Sequence, residues 1–155
     1  MSNVAVHRLV ALLVVAAPLA LSAQDPKAAA TPSAAVEEFM RAVADSNLPR
    51  MSQLFGNRRG SAFRTHQPKD YEKRMVVIQA MLRGAQARTL GDIPSEKSGG
   101  RTVPTQLSNN GCRVTIPFNV VKANEGWLVN EFKLESAAEV NKPCESRKRP
   151  GNQER

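Results

Sequence analysis

Few side chains in this 155-residue sequence are equipped for chemistry, and their neighbours decide what each could do. Imidazole titrates near neutral pH, so His66 could serve as a general base. It stands between Thr65 and Gln67 with no acidic residue close in sequence to orient it, and the plain reading is a solvated loop histidine. Ser52 and Ser61 lack the sharp Gly-flanked turn that presents a nucleophilic serine. Gly99-Gly100 is an isolated turn pair, with neither a phosphate-cradling loop nor a dinucleotide fingerprint around it. Cys112 and Cys144 are the two cysteines. A structural zinc site needs about four ligands, and beyond residue 23 the chain adds only His66 to the two thiols. A disulfide is favoured over two free thiols or half a metal site, because an even count agrees with an oxidising compartment. No cofactor or metal is expected.

The compartment is read from the first 23 residues. Arg8 precedes an apolar run, Leu9–Leu21, which ends in Ala20-Leu21-Ser22-Ala23. Charge, a short apolar stretch and small residues at the exit make a secretory signal. The run has 13 residues, against the ~20 that a membrane-spanning helix needs. Cleavage is expected after Ala23, with Ser22 as the alternative, giving a periplasmic or secreted protein with no membrane span after cleavage. No cysteine sits at the cut, so a lipid anchor is not indicated. Removal of residues 1–23 leaves 132 residues, enough for one domain. A Cys112–Cys144 bond would tie the C-terminal tail to a strand and contribute ~3–4 kcal/mol through chain entropy.

The elements that position these residues begin with a polar leader at 24–30. Thr31 can cap a helix, Pro32 suits its first position, and Glu37 and Glu38 lie near its positive end. Val36, Phe39, Met40 and Val43 then repeat at helical spacing. Ser46-Asn47-Leu48-Pro49 breaks this helix and opens another, on which Leu48, Met51, Leu54 and Phe55 repeat until Gly56. Residues 56–67 read as a basic loop. Pro68 starts a longer helix through about Arg83, with Tyr71, Met75, Ile78 and Leu82 as its apolar stripe. A short strand is expected around Gln86–Leu90, and a polar turn from Ser95 to Gly100. Beyond residue 100 the period changes to that of strands. Arg101–Leu107 alternates loosely, and Asn110-Gly111 is a hairpin signal. Cys112, Val114, Ile116, Phe118 and Val120 alternate with polar residues, and Pro117 calls for an edge position or a bulge. A last strand, 127–134, places Leu128, Phe132 and Leu134 on one face. Helices first and strands later predict an α+β domain over 31–144, the helices packed on a curved antiparallel sheet. A disordered basic tail follows at 145–155.

Charge is unevenly spread. Without Arg8 the net charge falls from +8 to +7, and residues 50–88 alone hold nine basic and two acidic side chains. Such a cluster attracts anions. Outside the cytoplasm these are lipid head groups, anionic polysaccharide, acidic partners or small anionic ligands. Nucleic acid is not expected there, and Phe63 is the only stacking residue inside the basic loop.

Two stretches resemble the cone-shaped α+β superfamily named after nuclear transport factor 2. One is Ala34–Phe55, AAVEEFMRAVADSNLPRMSQLF, a helix, a small polar break and a second short helix. The other is Gly126–Phe132, GWLVNEF, similar to the family's final strand entered through a Gly-Trp turn. The resemblance implies a cystatin-like roll, a sheet curled around a cavity that helices close at one end, and members that often dimerise through the open sheet face. Its isomerase-like enzymes, related to ketosteroid isomerase, hold an acid opposite a tyrosine or second acid inside the cavity. Here the one tyrosine is Tyr71, while Asp45, Asp70 and Asp92 fall at helix ends or turns. The expectation is therefore an exported, non-catalytic binding or accessory domain for a small or anionic ligand or an envelope partner. A small cavity enzyme of isomerase or cyclase type is the alternative. Arg58, Arg59, Arg64, His66, Tyr71 and Arg74 are the ligand-binding candidates, and a homodimer is compatible.

Overall fold

The computed structural model describes residues 28–95 and 99–144. The segment expected to direct export, the middle of the Ser95–Gly100 turn and the basic tail after Cys144 lie outside the described residues. Helix α1 spans Pro32–Ala44. Thr31 caps it as expected, its hydroxyl oxygen accepting from the Ala34 N–H at 3.1 Å. Val36, Phe39, Met40 and Val43 are all buried. Helix α2 spans Leu48–Leu54 and is capped by Asn47, whose Oδ1 accepts from the Arg50 N–H at 3.0 Å.

The segment expected as a basic loop folds further than that. Gly56–Asn57 (β1) and Gly60–Ser61 (β2) pair as a minimal hairpin, and Ala62–Thr65 makes a one-turn helix, α3. Helix α4 then runs from Tyr71 to Leu82 rather than from Pro68, because Pro68–Asp70 forms a turn whose Pro68 carbonyl accepts from the Tyr71 N–H. Its stripe of Tyr71, Met75, Ile78 and Leu82 is buried.

Strands β3 (Gln86–Thr89), β4 (Ile93–Pro94), β5 (Gly100–Asn109), β6 (Cys112–Ala123) and β7 (Gly126–Glu131) complete an antiparallel sheet. Its order is β3-β5-β6-β7, with β4 beside β5. Asn110 and Gly111, with φ of 47° and 81°, form the two-residue turn that joins β5 to β6. Counting from that turn, Pro104 and Pro117 face each other at a pair that exchanges no hydrogen bonds, so neither removes one from the β5–β6 ladder. On the other side β7 pairs only from Asn119 onward, and the register shifts between Asn119 and Val120. Pro117 thus has both the unpaired edge and the neighbouring bulge that its missing N–H requires.

The helices pack on one face of this curled sheet. Val103, Leu107, Phe118, Val120 and Val129 meet Val36, Phe39, Met75 and Leu82 in one core. Phe132 stacks on Phe118 at 4.5 Å and meets Phe39 edge-on at 6.2 Å. The fold is the expected α+β, cone-like arrangement.

Three local expectations are corrected. Leu128 does not share a face with Phe132 and Leu134. It is buried with Ala28 and Ala123 on the far side of β7, while Val129 faces the main core. The strand ends at Glu131, and Leu134 opens a further helix, α5 (Leu134–Ala138), followed by a 3-10 turn at Glu139–Asn141. The leader is not free up to residue 30: Ala28 and Ala29 are buried, and the Ala29 carbonyl accepts from the Trp127 N–H at 2.8 Å. Gly126 makes room for that contact. Its φ is 135°, and a Cβ there would sit 2.7 Å from the Ala29 carbonyl oxygen.

The chain end is fastened to the sheet. Cys112 and Cys144 form a disulfide with Cα atoms 5.5 Å apart. Asn141 adds a polar tie, accepting from Asn109 at 2.7 Å and donating to the Met81 carbonyl at 2.8 Å.

Candidate functional site

Two concavities flank α4. The first opens where the helical side of the sheet ends, between α4, Phe55 and the residues after β7. Its volume is about 390 Å³, within the usual range for small-ligand sites. Phe55, Val77, Ile78, Phe132 and Leu134 give it apolar walls, and Asp70, Lys73, Arg74, Asn130 and Glu131 form its polar mouth. The stacking of Phe132 on Phe118 fixes one wall against the core, and Asn130 donates to the Gly56 carbonyl at 2.8 Å, holding the mouth to the hairpin. Asp70 and Glu131 are exposed, and Asp70 pairs with Arg74 at 3.1 Å.

The second concavity, about 540 Å³, is a groove between α2, α3 and α4. Leu48, Pro49, Phe63, Tyr71, Glu72, Lys73, Met75 and Val76 are among its walls. Tyr71 donates its hydroxyl to Glu72 Oε1 at 3.1 Å. Burial foremost, then this hydrogen bond and the carboxylate charge, push the phenol above its usual pKa of 10.0, so it remains a neutral donor. Glu72 is the next residue on the helix and is exposed. The pair is therefore a rim contact, unlike an acid and a phenol facing each other across an apolar cavity. Asp45 lies exposed at the end of α1, and Asp92 pairs with Arg101 at 2.5 Å. Neither is a desolvated acid of the kind the isomerase-like chemistry uses.

The candidates chosen from sequence are not gathered in one place. Arg74 stands at the mouth of the first cavity and Tyr71 in the second groove. Arg58, Arg59, Arg64 and His66 line neither. Arg64 pairs with Glu125 at 2.7 Å and donates to the Arg59 carbonyl at 2.8 Å, while the other Glu125 oxygen accepts from the Ser61 N–H at 2.6 Å. This arginine thus braces the hairpin and the β6–β7 turn against each other. His66 closes α3 in the left-handed conformation, its ring 6.1 Å from that of Tyr71. The cavity walls that sequence reasoning missed are Phe55, Val77, Ile78, Asn130, Glu131, Phe132 and Leu134. They come from α4, β7, α5 and the residues that follow α2 and β7, and half-exposed Val77, off the helical stripe, is the signal that could have pointed to one of them.

No family model matches the chain, and no curated protein does. Two solved structures are similar to it. One is an NTF2-like protein of unknown function from Cytophaga hutchinsonii, at 12% identity over 69% of this chain and 94% of that one, with a TM-score of 0.39. The other is a phospholipid-binding protein from Ralstonia solanacearum, solved in complex with a phospholipid, at 14% identity over 68% and 79% of the two chains, with a TM-score of 0.32.

Proposed function

We propose that the protein is an exported, non-catalytic binding module that takes a small amphiphile into the cavity between α4 and the end of β7. The observation that carries this reading is the cavity's division of labour: an apolar interior made by Phe55, Val77, Ile78, Phe132 and Leu134, beneath a charged mouth. An apolar interior gains from excluding water, and a mouth with both signs of charge orients a polar head. Both carboxylates at that mouth are exposed, unlike the desolvated acid of an apolar catalytic site. Export is supported by the signal-like first 23 residues and by the disulfide, a bond that persists in oxidising compartments.

Native mass spectrometry of the protein purified from its own host tests both parts. The expected species begins at Gln24 or Ala23, contains the disulfide, and carries an amphiphile that detaches on activation in the gas phase. A chain that retains residues 1–23, or one that never carries or takes up an amphiphile, contradicts the corresponding part. Turnover of a carbonyl substrate that is lost in Tyr71→Phe would favour the isomerase-type alternative.

A further inference from the structure

The outward side of α4 exposes two large apolar side chains beside the charged Glu72, Lys73 and Arg74, where a surface helix is ordinarily polar. Val76 and Val77 are 51% and 50% exposed, and Phe63 on α3 is 48% exposed. Phe63 and Val76 line the same groove, with Lys73 between that groove and the amphiphile cavity. The same stretch of chain holds the charge excess, nine basic against two acidic residues over 50–88. Part of that excess is used inside the fold, in the pairs Arg50–Glu38, Arg64–Glu125 and Arg74–Asp70. Lys69 and Lys73 on α4's approach and first turn, and Arg59 at the hairpin tip, lie exposed on the surface.

We infer that this face docks on an anionic lipid bilayer, with Phe63 and Val76 entering the headgroup layer and Lys69, Lys73 and Arg59 meeting its negative charge. Charge complementarity selects the partner. An anionic polysaccharide would satisfy the cations and leave Phe63 and Val76 in water. A neutral apolar partner would do the reverse. A bilayer interface offers anionic head groups and hydrocarbon within a few ångströms of each other, and lysine stems reach across that boundary with their charge in water. Because Lys73 borders both concavities, docking sets the cavity mouth beside the surface that holds amphiphiles. In that respect the inference rests on the proposed binding function and names the lipid layer as the source of its ligand.

Co-sedimentation with vesicles tests it. The protein is expected to bind vesicles of equal parts phosphatidylcholine and phosphatidylglycerol, to ignore vesicles of phosphatidylcholine alone, and to be released by added salt. The double variant Phe63→Ser/Val76→Ser weakens binding by on the order of tenfold, and Lys69→Gln by about fivefold. Neither variant touches a wall of the amphiphile cavity, so uptake of a soluble amphiphile stays at the parent level and keeps the two readings separable. Equal binding to both vesicle types, or none to either, overturns the inference. So does a folded Phe63→Ser/Val76→Ser variant that binds as the parent does, which would leave a purely electrostatic anion such as a polysaccharide as the partner.

Discussion

Replacing both cysteines with alanine separates two ways in which the C-terminal segment could be held. The bond joins residues 32 apart, and closing a loop of that length removes unfolded-state entropy worth about 4 kcal/mol. For a domain of this size that corresponds to a fall in Tm of roughly 15 °C. The native structure should survive the loss. Ala137 is fully buried and Val140 is 1% exposed, and Asn141 bonds to Asn109 and Met81, so the segment has packing and polar ties of its own. Cys112→Ala/Cys144→Ala is therefore expected to melt much lower yet give the same near-UV circular dichroism and the same limited-proteolysis pattern as the parent. Thiol reductant should lower the parent's Tm similarly and leave the variant's unchanged. The reasoning is refuted if Tm barely moves. It is equally refuted if protease now cuts between Lys133 and Leu134 under native conditions, since the bond and not the packing would then hold α5 in place.

Other consequences are more local. Gly126→Ala puts a methyl group where only 2.7 Å separates it from the Ala29 carbonyl oxygen, at a φ of 135°; a loss of about 1–3 kcal/mol in urea unfolding is expected. Because Tyr71 is the only tyrosine, the absorbance of the ionised phenol follows it alone, and its midpoint should lie above 10.0. A phenol whose pKa is raised by folding contributes stability below its unfolded value and loses it as pH climbs through the folded one. The loss of stability at alkaline pH should accordingly be smaller in Tyr71→Phe, where this linkage is absent.

Much of the fold was legible because it rests on local rules. Thr31, Pro32 and Asn47 act within their own turns, the stripe Tyr71, Met75, Ile78, Leu82 follows from helical spacing, and Asn110-Gly111 specifies its own hairpin. What stayed hidden depends on distant partners. The β1–β2 hairpin has two residues per strand, too short for any period, and is fixed by Glu125 from 64 residues away. The register shift beside Val120 puts Val129 on the core face and Leu128 on the other, which alternation along β7 alone could not reveal. Ala28 and Ala29 look like spacer, yet they pack against β7 where Gly126 leaves room for them. The candidate cavity was less legible than the fold. Charge density pointed to Arg58, Arg59 and Arg64, whereas the apolar half of the cavity's wall comes from residues that meet only after folding. Charge marked a surface and not the cavity interior.

Val76 and Val77 are neighbours on α4 with nearly equal exposure, yet only Val77 lines the cavity. Titration calorimetry with a single-chain amphiphile below its micelle concentration, on the parent, Val77→Asp and Val76→Asp, therefore tests the central claim most directly. A carboxylate in the apolar wall should weaken binding by at least about tenfold in Val77→Asp, while Val76→Asp binds as the parent does. Equal losses in both variants, or no binding by the folded parent, would contradict the claim that this cavity is the ligand site.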